Sequence, residues 1–301
     1  MMNSISDMIR EEEWRDPDLL TSLRGGKTLL VASDYGGEHA KASFRSLSFL
    51  VADLEGCGLW EDLRVSVRRQ FLRDLRRMAF KSLRDKRRAD ALVPFLRSAD
   101  CIPGVLATFL IDRRIKTVFM KTPPEEIEDP NLSPETWNPK VFEKLCLLGH
   151  IGGLLVSGLS APYQDVLWIT DEDEIAPNKE QHYRAAKVIG TQMLGYSPHN
   201  MGHFRLGTTK SDTGKLDLED LVAVPDLAAG AMADVLDELY KNKSMPQDRF
   251  LIPPSKTTSS KALKIAGWMA ERDRFLKRLV FFVEFVPPDG FKAKFLRMIP
   301  G

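Results

Sequence analysis

The sequence predicts an α/β fold in which a sheet is layered with helices. Two apolar runs, residues 28–33 and 165–170, have the length and β-branched or aromatic content of buried strands. Segments with apolar residues at helical spacing lie between and after such runs, so strands and helices alternate along the chain. This order is typical of a sheet covered by helices, and no internal repeat is visible.

The first half of the chain predicts a hairpin between helices. Residues 4–15 indicate a short amphipathic helix. Residues 28–33 and 43–52 are expected to pair as antiparallel strands, because the glycines of the intervening "DYGGEHAK" can adopt the positive backbone angles of a turn. From Leu59 to Leu83, apolar residues recur at helical spacing and predict one long helix. The remaining segments here are a helix at 91–98 and one or two buried strands at 104–112 and 115–120.

The second half continues the alternation. Four prolines and many acids make residues 121–140 a loop or insertion. The elements expected after it are a helix at 139–157, a strand at 165–170, a helix at 179–194, a strand at 201–209 and a helix at 217–241. A polar linker then leads to a helix at 260–277 and a hairpin around "PPDG". This hairpin is expected to be either an edge addition to the sheet or a dimerisation arm.

Composition narrows the class of protein. The 301 residues carry 43 basic and 42 acidic side chains, so overall charge indicates no polyanionic partner. The three cysteines, Cys57, Cys101 and Cys146, are far apart and form no C-x-x-C pair, which argues against a disulfide framework or a zinc knuckle. There is no uninterrupted apolar stretch of about 18 residues, and the N-terminus has acids where a secretion signal would be apolar. We therefore expect a cytoplasmic protein with no membrane partner.

Acidic residues stand at the ends of predicted elements. Asp34 follows the first strand, Asp171 follows the strand at 165–170, and Asp226 opens a small-residue helical stretch. In "DEDE", Asp171 and Asp173 would share one face of a continuing strand. Converging carboxylates repel one another unless a cation neutralises them, and oxygen ligands favour Mg²⁺ or Mn²⁺ over zinc. The chemistry this predicts is metal-assisted phosphodiester hydrolysis.

Three motifs, "VASDYGG", "LWITDEDE" and "VAVPDLAAGA", resemble those of the RNase H-like superfamily, and within it a bacterial family of unknown function numbered 3800. The resemblance covers roughly residues 28–240. It implies a mixed sheet flanked by helices over 28–242, with an N-terminal helical extension at 1–27 and a C-terminal helix and hairpin at 243–301. It also implies metal-binding or catalytic roles for Asp34, Asp171 and Asp226, a phosphate-facing Lys210, and a nuclease from an antiviral defence or mobile-element setting.

The sequence departs from this family at two positions. Where the family often has Glu-x-Lys, this chain has Ala79 in place of the glutamate and keeps the lysine as Lys81. Ala223 takes the place of the glutamine that precedes the last aspartate in the family. Either another acid substitutes, with candidates Glu55, Asp74 and Asp173, or catalytic power has been lost. The alternative to a Mg²⁺- or Mn²⁺-dependent nuclease is therefore a catalytically degenerate module that binds nucleic acid or a partner protein.

The strongest local charge bias lies between Arg64 and Arg88, with eleven basic residues against two acids. On a continuous helix these side chains would form a solvent-side stripe able to neutralise phosphates of DNA or RNA, mainly through backbone contacts. The residues expected to bind nucleic acid are Arg69, Arg73, Arg76, Arg77 and Lys81. The alternative is a solvated helix face paired with the acidic loop 125–129. Besides nucleic acid, the expected partner is another protein or a second copy of this chain.

Overall fold

The structure is a computed structural model that describes residues 1–37, 42–115, 137–171, 174–246, 249–251, 258–272, 275–288 and 290–299. Its strands are β1 (Thr28–Gly36), β2 (Phe44–Asp53), β3 (Gly104–Asp112), β4 (Asp165–Thr170), β5 (Phe204–Thr208), β6 (Arg249–Leu251), β7 (Leu276–Val286), β8 (Gly290–Phe295) and β9 (Arg297–Ile299). Seven of them form one mixed sheet in the order β5-β4-β1-β2-β3-β7-β8, and β6 pairs with β9. The predicted α/β class, a mixed sheet flanked by helices, is confirmed.

Helices cover both faces of the sheet. They are α1 (Met2–Arg15), α2 (Gly58–Phe71), α3 (Lys86–Ala99), α4 (Pro139–Leu159), α5 (Lys179–Tyr196), α6 (Asp217–Lys241) and α7 (Ser260–Ala270). One core lies between the sheet and α2, α3, α6 and α7, and the other lies between the sheet and α1, α4 and α5. Neighbouring strand residues contribute to opposite cores: Leu30 and Ala32 face α6, while Leu29 and Val31 face the other layer.

Strand direction places the site described below. β1, β2 and β3 run antiparallel in sequence, while β4 is parallel to β1 and β5 is parallel to β4. The predicted hairpin of the first two strands is confirmed. Gly37 has a φ of +75°, and a Cβ there would lie 2.1 Å from the carbonyl oxygen of Phe44. Glycine is therefore required where β1 leaves the sheet.

The C-terminal hairpin extends the main sheet. β7 pairs in parallel with β3, and β8 pairs antiparallel with β7, so edge addition is the correct alternative for this segment. The helix predicted at 260–277 is too long, because α7 ends at Ala270 and the chain enters β7 at Leu276. Leu276 is fully buried beside Gly104 of β3. Strand pairing in the core therefore overrides the local helical pattern.

The single long helix predicted from Leu59 to Leu83 is wrong. Helix α2 ends at Phe71, and the next helix begins at Lys86. The apolar stripe that predicted the helix is buried only in part: Val67 is buried, but Leu63 and Leu75 are exposed, and the buried face of α2 also includes Arg64. Arg64 and Arg68 both turn inward to bind Asp220 on α6. After α2, Leu75 takes a left-handed φ of 55°, and the 3₁₀ turn Phe80–Ser82 packs on α6.

Helix α4 is long and strongly apolar. By length and hydropathy it could cross a membrane, the only such helix among the described residues. Here most of it is buried against the sheet and α5, where Gly152 lies so close to Trp168 that a Cβ would meet the indole at 2.1 Å. This is the packing of a core helix. Residues 116–120 of the strand expected at 115–120 and most of the loop at 121–140 fall outside the described residues, and Ile115 lies beyond the end of β3.

Candidate active site

Asp34 and Asp171 meet because two parallel strands end at the same edge of the sheet. The β1–β4 register pairs Ser33 with Thr170, so the next residue on each strand is one of the two acids. Asp34 also continues the alternation of Leu30 and Ala32 and therefore points toward α6. The Asp171 carboxylate accepts a 3.1 Å hydrogen bond from the hydroxyl of Thr209, the residue that follows β5.

Asp226 reaches this edge from helix α6, which packs across β1 and β2. Its Oδ2 accepts a 2.6 Å hydrogen bond from the backbone N–H of Phe80, and its carboxyl group shares a hydrogen bond with that of Asp34. A hydrogen bond between two carboxyl groups requires a proton on one of them. Burial raises the pKa of Asp226, and the charge of Asp171 raises it further, although the contacts with Phe80, Asp34 and Lys81 oppose this.

The three predicted aspartates line one cavity of about 840 Å³. Its walls are the ends of β1 and β4, one side of α6 and the segment 77–82, with Arg88 from α3. Ala79 and Ala223, the two departures from the family pattern, also lie in this lining. Gly230 allows the segment to approach α6, because a Cβ at this position would lie 2.3 Å from the ring of Phe80. Lys261 donates a 2.7 Å hydrogen bond to the Phe80 carbonyl oxygen and holds the segment from its other side.

Sequence reasoning did not select four acids that line the same cavity: Glu174, Asp234, Asp237 and Glu219. Glu174 binds Lys144 and Asp237 binds Lys241, whereas Glu219 faces Arg77. Glu219 lies in the first turn of α6 and precedes Asp226 by seven residues, a spacing that places both side chains on one helix face about 10 Å apart. That spacing was the available signal in the sequence. Burial raises the pKa of Glu219 to about 6, and the charges of Asp171, Asp212 and Asp220 add to this, while Arg77 lowers it.

The donor atoms of this cavity fit a hard divalent cation in kind. Asp34, Asp171, Asp226 and Glu219 all offer oxygen ligands, and burial raises the pKa of both Asp226 and Glu219. Over the described ranges, no three Asp, Glu, His or Cys side chains stand at the spacing of a metal-ligand group. The carboxylates contact protein donors instead: the Phe80 N–H, the Thr209 hydroxyl and the Arg77 guanidinium.

The other acids considered as substitutes for Ala79 lie elsewhere. Glu55 accepts hydrogen bonds from the N–H groups of Lys27 and Thr28, at the opposite end of β1 and roughly 20 Å from Asp34 along the strand. Asp74 forms ion pairs with Arg76 and Arg87 on the surface. Asp173 falls outside the described residues. Neither Glu55 nor Asp74 lines the cavity, whereas Glu174, Glu219, Asp234 and Asp237 do.

The basic residues divide into two groups. Arg77, Lys81 and the unpredicted Arg88 line the acidic cavity. The predicted residues Arg69, Arg73 and Arg76 do not line it: Arg73 donates to the Arg69 carbonyl oxygen, and Arg76 is bound by Asp74 and Asp85. Lys210 is exposed on the short 3₁₀ turn after β5, next to Thr209 but outside the cavity lining. The contiguous basic stripe of the sequence is therefore not one surface.

Comparisons with known proteins show a remote likeness in fold. No protein-family model and no curated protein sequence matches the chain. Among solved structures, it is similar to the crystal structure of the ribonuclease H2 from Pyrococcus horikoshii OT3, with 10% sequence identity and a TM-score of 0.36. The match covers 83% of this chain and 92% of that chain. At this distance the likeness assigns no residue a role, and the roles below are derived from the cavity itself.

Proposed function

We propose that the cavity is the active site of a metal-dependent nuclease that hydrolyses phosphodiester bonds. The observation that carries this proposal is the convergence of Asp34, Asp171 and Asp226 from two strand ends and a helix into one cavity. Structural acids are normally dispersed or paired with bases, because gathering them costs electrostatic free energy. Accumulated carboxylates beside basic residues suit a site that holds a cation and a phosphate together.

The side chains divide the work by charge. Asp34, Asp171 and Asp226 would hold Mg²⁺ or Mn²⁺ through carboxylate oxygens. The bound metal supplies activation of water and stabilisation of the leaving oxygen. Arg77 and Lys81 border the acids and neutralise phosphate charge, which orients the backbone without reading base sequence. The target is therefore DNA or RNA held mainly by its backbone.

A second candidate function is a module of the same fold that binds nucleic acid or a partner protein without cleaving it. Ala79 favours this reading, since it lies in the cavity wall at the position where the resembled family often carries Glu. The spacing of the described acids, which form no ready ligand group of three, favours it as well. Binding of a divalent cation separates the two candidates.

We also propose that the chain is a member of the bacterial family numbered 3800 and acts in the cytoplasm, in a defence or mobile-element setting. Its proposed partner, besides nucleic acid, is another protein or a second copy of the chain. The division at residues 27 and 242 also stays a prediction. Their support is the order of the three motifs and the meeting of their aspartates at one sheet edge. Lys210 keeps a proposed phosphate-facing role at the rim, through its neighbour Thr209, which contacts Asp171.

The test is cleavage of single-stranded, double-stranded and hybrid substrates with Mg²⁺ or Mn²⁺. Asp34→Asn should reduce the rate on the order of 10²-fold or more, the scale of losing a group that acts on the transition state. Without metal, the variant should be at least as stable as wild type, because its amide can donate to Asp226 and one repelling charge is gone. Asp90→Asn, at an exposed site on α3, is the matched control.

Two results would contradict the nuclease proposal. One is a wild-type protein that cleaves none of these substrates and binds no divalent ion. The other is an Asp34→Asn variant as active as the Asp90→Asn control. Cation binding without cleavage would instead select the non-catalytic candidate and identify Ala79 as the first position to examine.

A further inference from the structure

Two adjacent acids at the start of α6 have contrasting surroundings. Asp220 is fully buried and binds the guanidinium groups of both Arg64 and Arg68, which satisfies its oxygens. Glu219 is 7% exposed, yet its Oε1 atom is buried and accepts no hydrogen bond. Asp220 therefore has the environment of a structural ion pair, whereas Glu219 has a buried oxygen that lacks a proper donor.

The cation beside Glu219 is weakly placed to compensate it. Nη2 of Arg77 lies 2.6 Å from Oε1, but the pair does not have hydrogen-bond geometry, and the Arg77 side chain is 60% exposed. An exposed arginine can swing into solvent at little cost, while the buried carboxylate stays where α6 holds it. The Arg77 side chain therefore covers the Glu219 carboxylate and can move away from it.

Glu219 lines the same cavity as Asp171 and Asp226. The charge of Asp171 acts on both Glu219 and Asp226, which lie on the same face of α6. Asp171 is thus electrostatically coupled to an acid on either side. Position 79, which offers no carboxylate, lies in the same cavity wall.

We infer that Glu219 supplies the fourth carboxylate of the site and binds the divalent cation, and that Arg77 covers this carboxylate in the free protein and turns to substrate phosphate when the cation is bound. This inference rests on the proposed function. It assigns the missing acid to α6 rather than to the segment that carries Ala79. Arg77 would then have two alternating partners of the same charge, a carboxylate and a phosphate.

The experiment measures Mn²⁺ binding by isothermal titration calorimetry in the absence of nucleic acid. Glu219→Gln should weaken Mn²⁺ on the order of tenfold or more, the lower end of the effect of losing a supporting ligand. The matched control is Glu238→Gln, which lies on the same helix outside the cavity and should bind as wild type. Circular dichroism on each variant checks that it is folded.

Arg77→Gln keeps the test decisive if Glu219→Gln folds poorly. Removing a competing cation should strengthen Mn²⁺ binding while weakening nucleic acid binding. If Arg77→Gln instead weakens Mn²⁺ as Glu219→Gln does, the pair is a structural ion pair and the inference is overturned. If wild type and Glu219→Gln bind Mn²⁺ equally, Glu219 is no ligand and the nuclease proposal still stands. A wild-type protein that binds no Mn²⁺ overturns both.

Discussion

Asp226 illustrates how single residues make this site. Its carboxyl group lies between a backbone N–H and the carboxyl group of Asp34, in a cavity that also contains Lys81. Burial and the charge of Asp171 raise its pKa, so its environment works against the charged form. A carboxylate in this state gains from any added cation. The same logic applies to Glu219, which no sequence motif singled out.

Lys81 provides the test of phosphate binding at the residue scale. Lys81→Gln should weaken nucleic acid binding by a similar factor for all sequences and reduce the slope of log K against log salt by about 1. The reason is that each lysine on a phosphate releases counterions. Fluorescence anisotropy across a salt series measures both quantities.

Lys86→Gln is the control, because Lys86 is also exposed, is five residues away and is not part of the cavity lining. Its salt slope should match that of wild type. Equal slopes for the two variants would contradict the assignment of Lys81 to the phosphate path.

At the scale of elements, the decisive feature is the segment between α2 and α3. It packs on α6 through Phe80, whose N–H and carbonyl oxygen bind Asp226 and Lys261. The ammonium of Lys261 also lies 3.8 Å from the centre of the Phe80 ring. Because this segment carries Arg77, Ala79 and Lys81, its docking on α6 forms one wall of the site.

Gly230→Ala should loosen that docking. The new Cβ would lie 2.3 Å from the Phe80 ring, and such overpacking typically costs about 1–3 kcal/mol, partly offset by about 1 kcal/mol of helix propensity. Urea unfolding should therefore show a lower free energy of unfolding.

Gly267→Ala on α7 is the control, and it should raise the free energy of unfolding instead of lowering it. No heavy atom lies within 4 Å of its added Cβ, so only the propensity gain of up to about 1 kcal/mol remains. A Gly230→Ala protein that is as stable as Gly267→Ala would contradict the close packing of Phe80 on α6.

At the scale of the whole molecule, the two layers differ in what they hold. The layer of α2, α3, α6 and α7 carries the acidic cavity, whereas the layer of α1, α4 and α5 is an apolar support with a few polar contacts. One such contact joins α4 and α5, where Nδ1 of His150 lies 2.9 Å from the hydroxyl of Tyr196. Burial lowers the pKa of His150.

This histidine predicts an acid-dependent loss of global stability. The folded protein favours neutral His150, while the unfolded chain takes up the proton near pH 6.5, so unfolding gains a proton as the pH falls below that value. Stability is retained above pH 6.5 and lost on acidification toward the lowered folded pKa. His150→Gln should therefore show a smaller fall in unfolding free energy between pH 7.5 and 5.

Chemical denaturation at several pH values measures this difference, with His203→Gln at an exposed histidine as the comparison. If His150→Gln and wild type lose stability in parallel on acidification, the neutral buried histidine is not a source of the pH dependence.

Local pattern was enough to identify most elements. The apolar runs at β1, β2, β3 and β4 and the long helix α6 were all predicted close to their observed bounds, because a buried strand or an amphipathic helix leaves its period in the chain. The acids at 34, 171 and 226 could be selected for the same reason: each follows or interrupts such a pattern. Asp34 and Asp171 meet because parallel strands end at one edge, whereas Asp226 joins them through the packing of α6 across the sheet.

Tertiary structure alone decided the rest. Arg64 and Arg68 turn inward because their partner Asp220 lies about 150 residues away on α6, and no local period records such a partner. The C-terminal hairpin joined the sheet because β3 offered an open edge to β7. Glu219 lines the cavity because of the rotation of α6 about its own axis as it packs on the sheet. Arg76, which was predicted to belong to the site, is bound by Asp74 and Asp85 instead. The spacing of apolar residues along the sequence shows which side of a helix or strand is buried. Ion pairs and strand pairing between distant segments decide which element packs against that side.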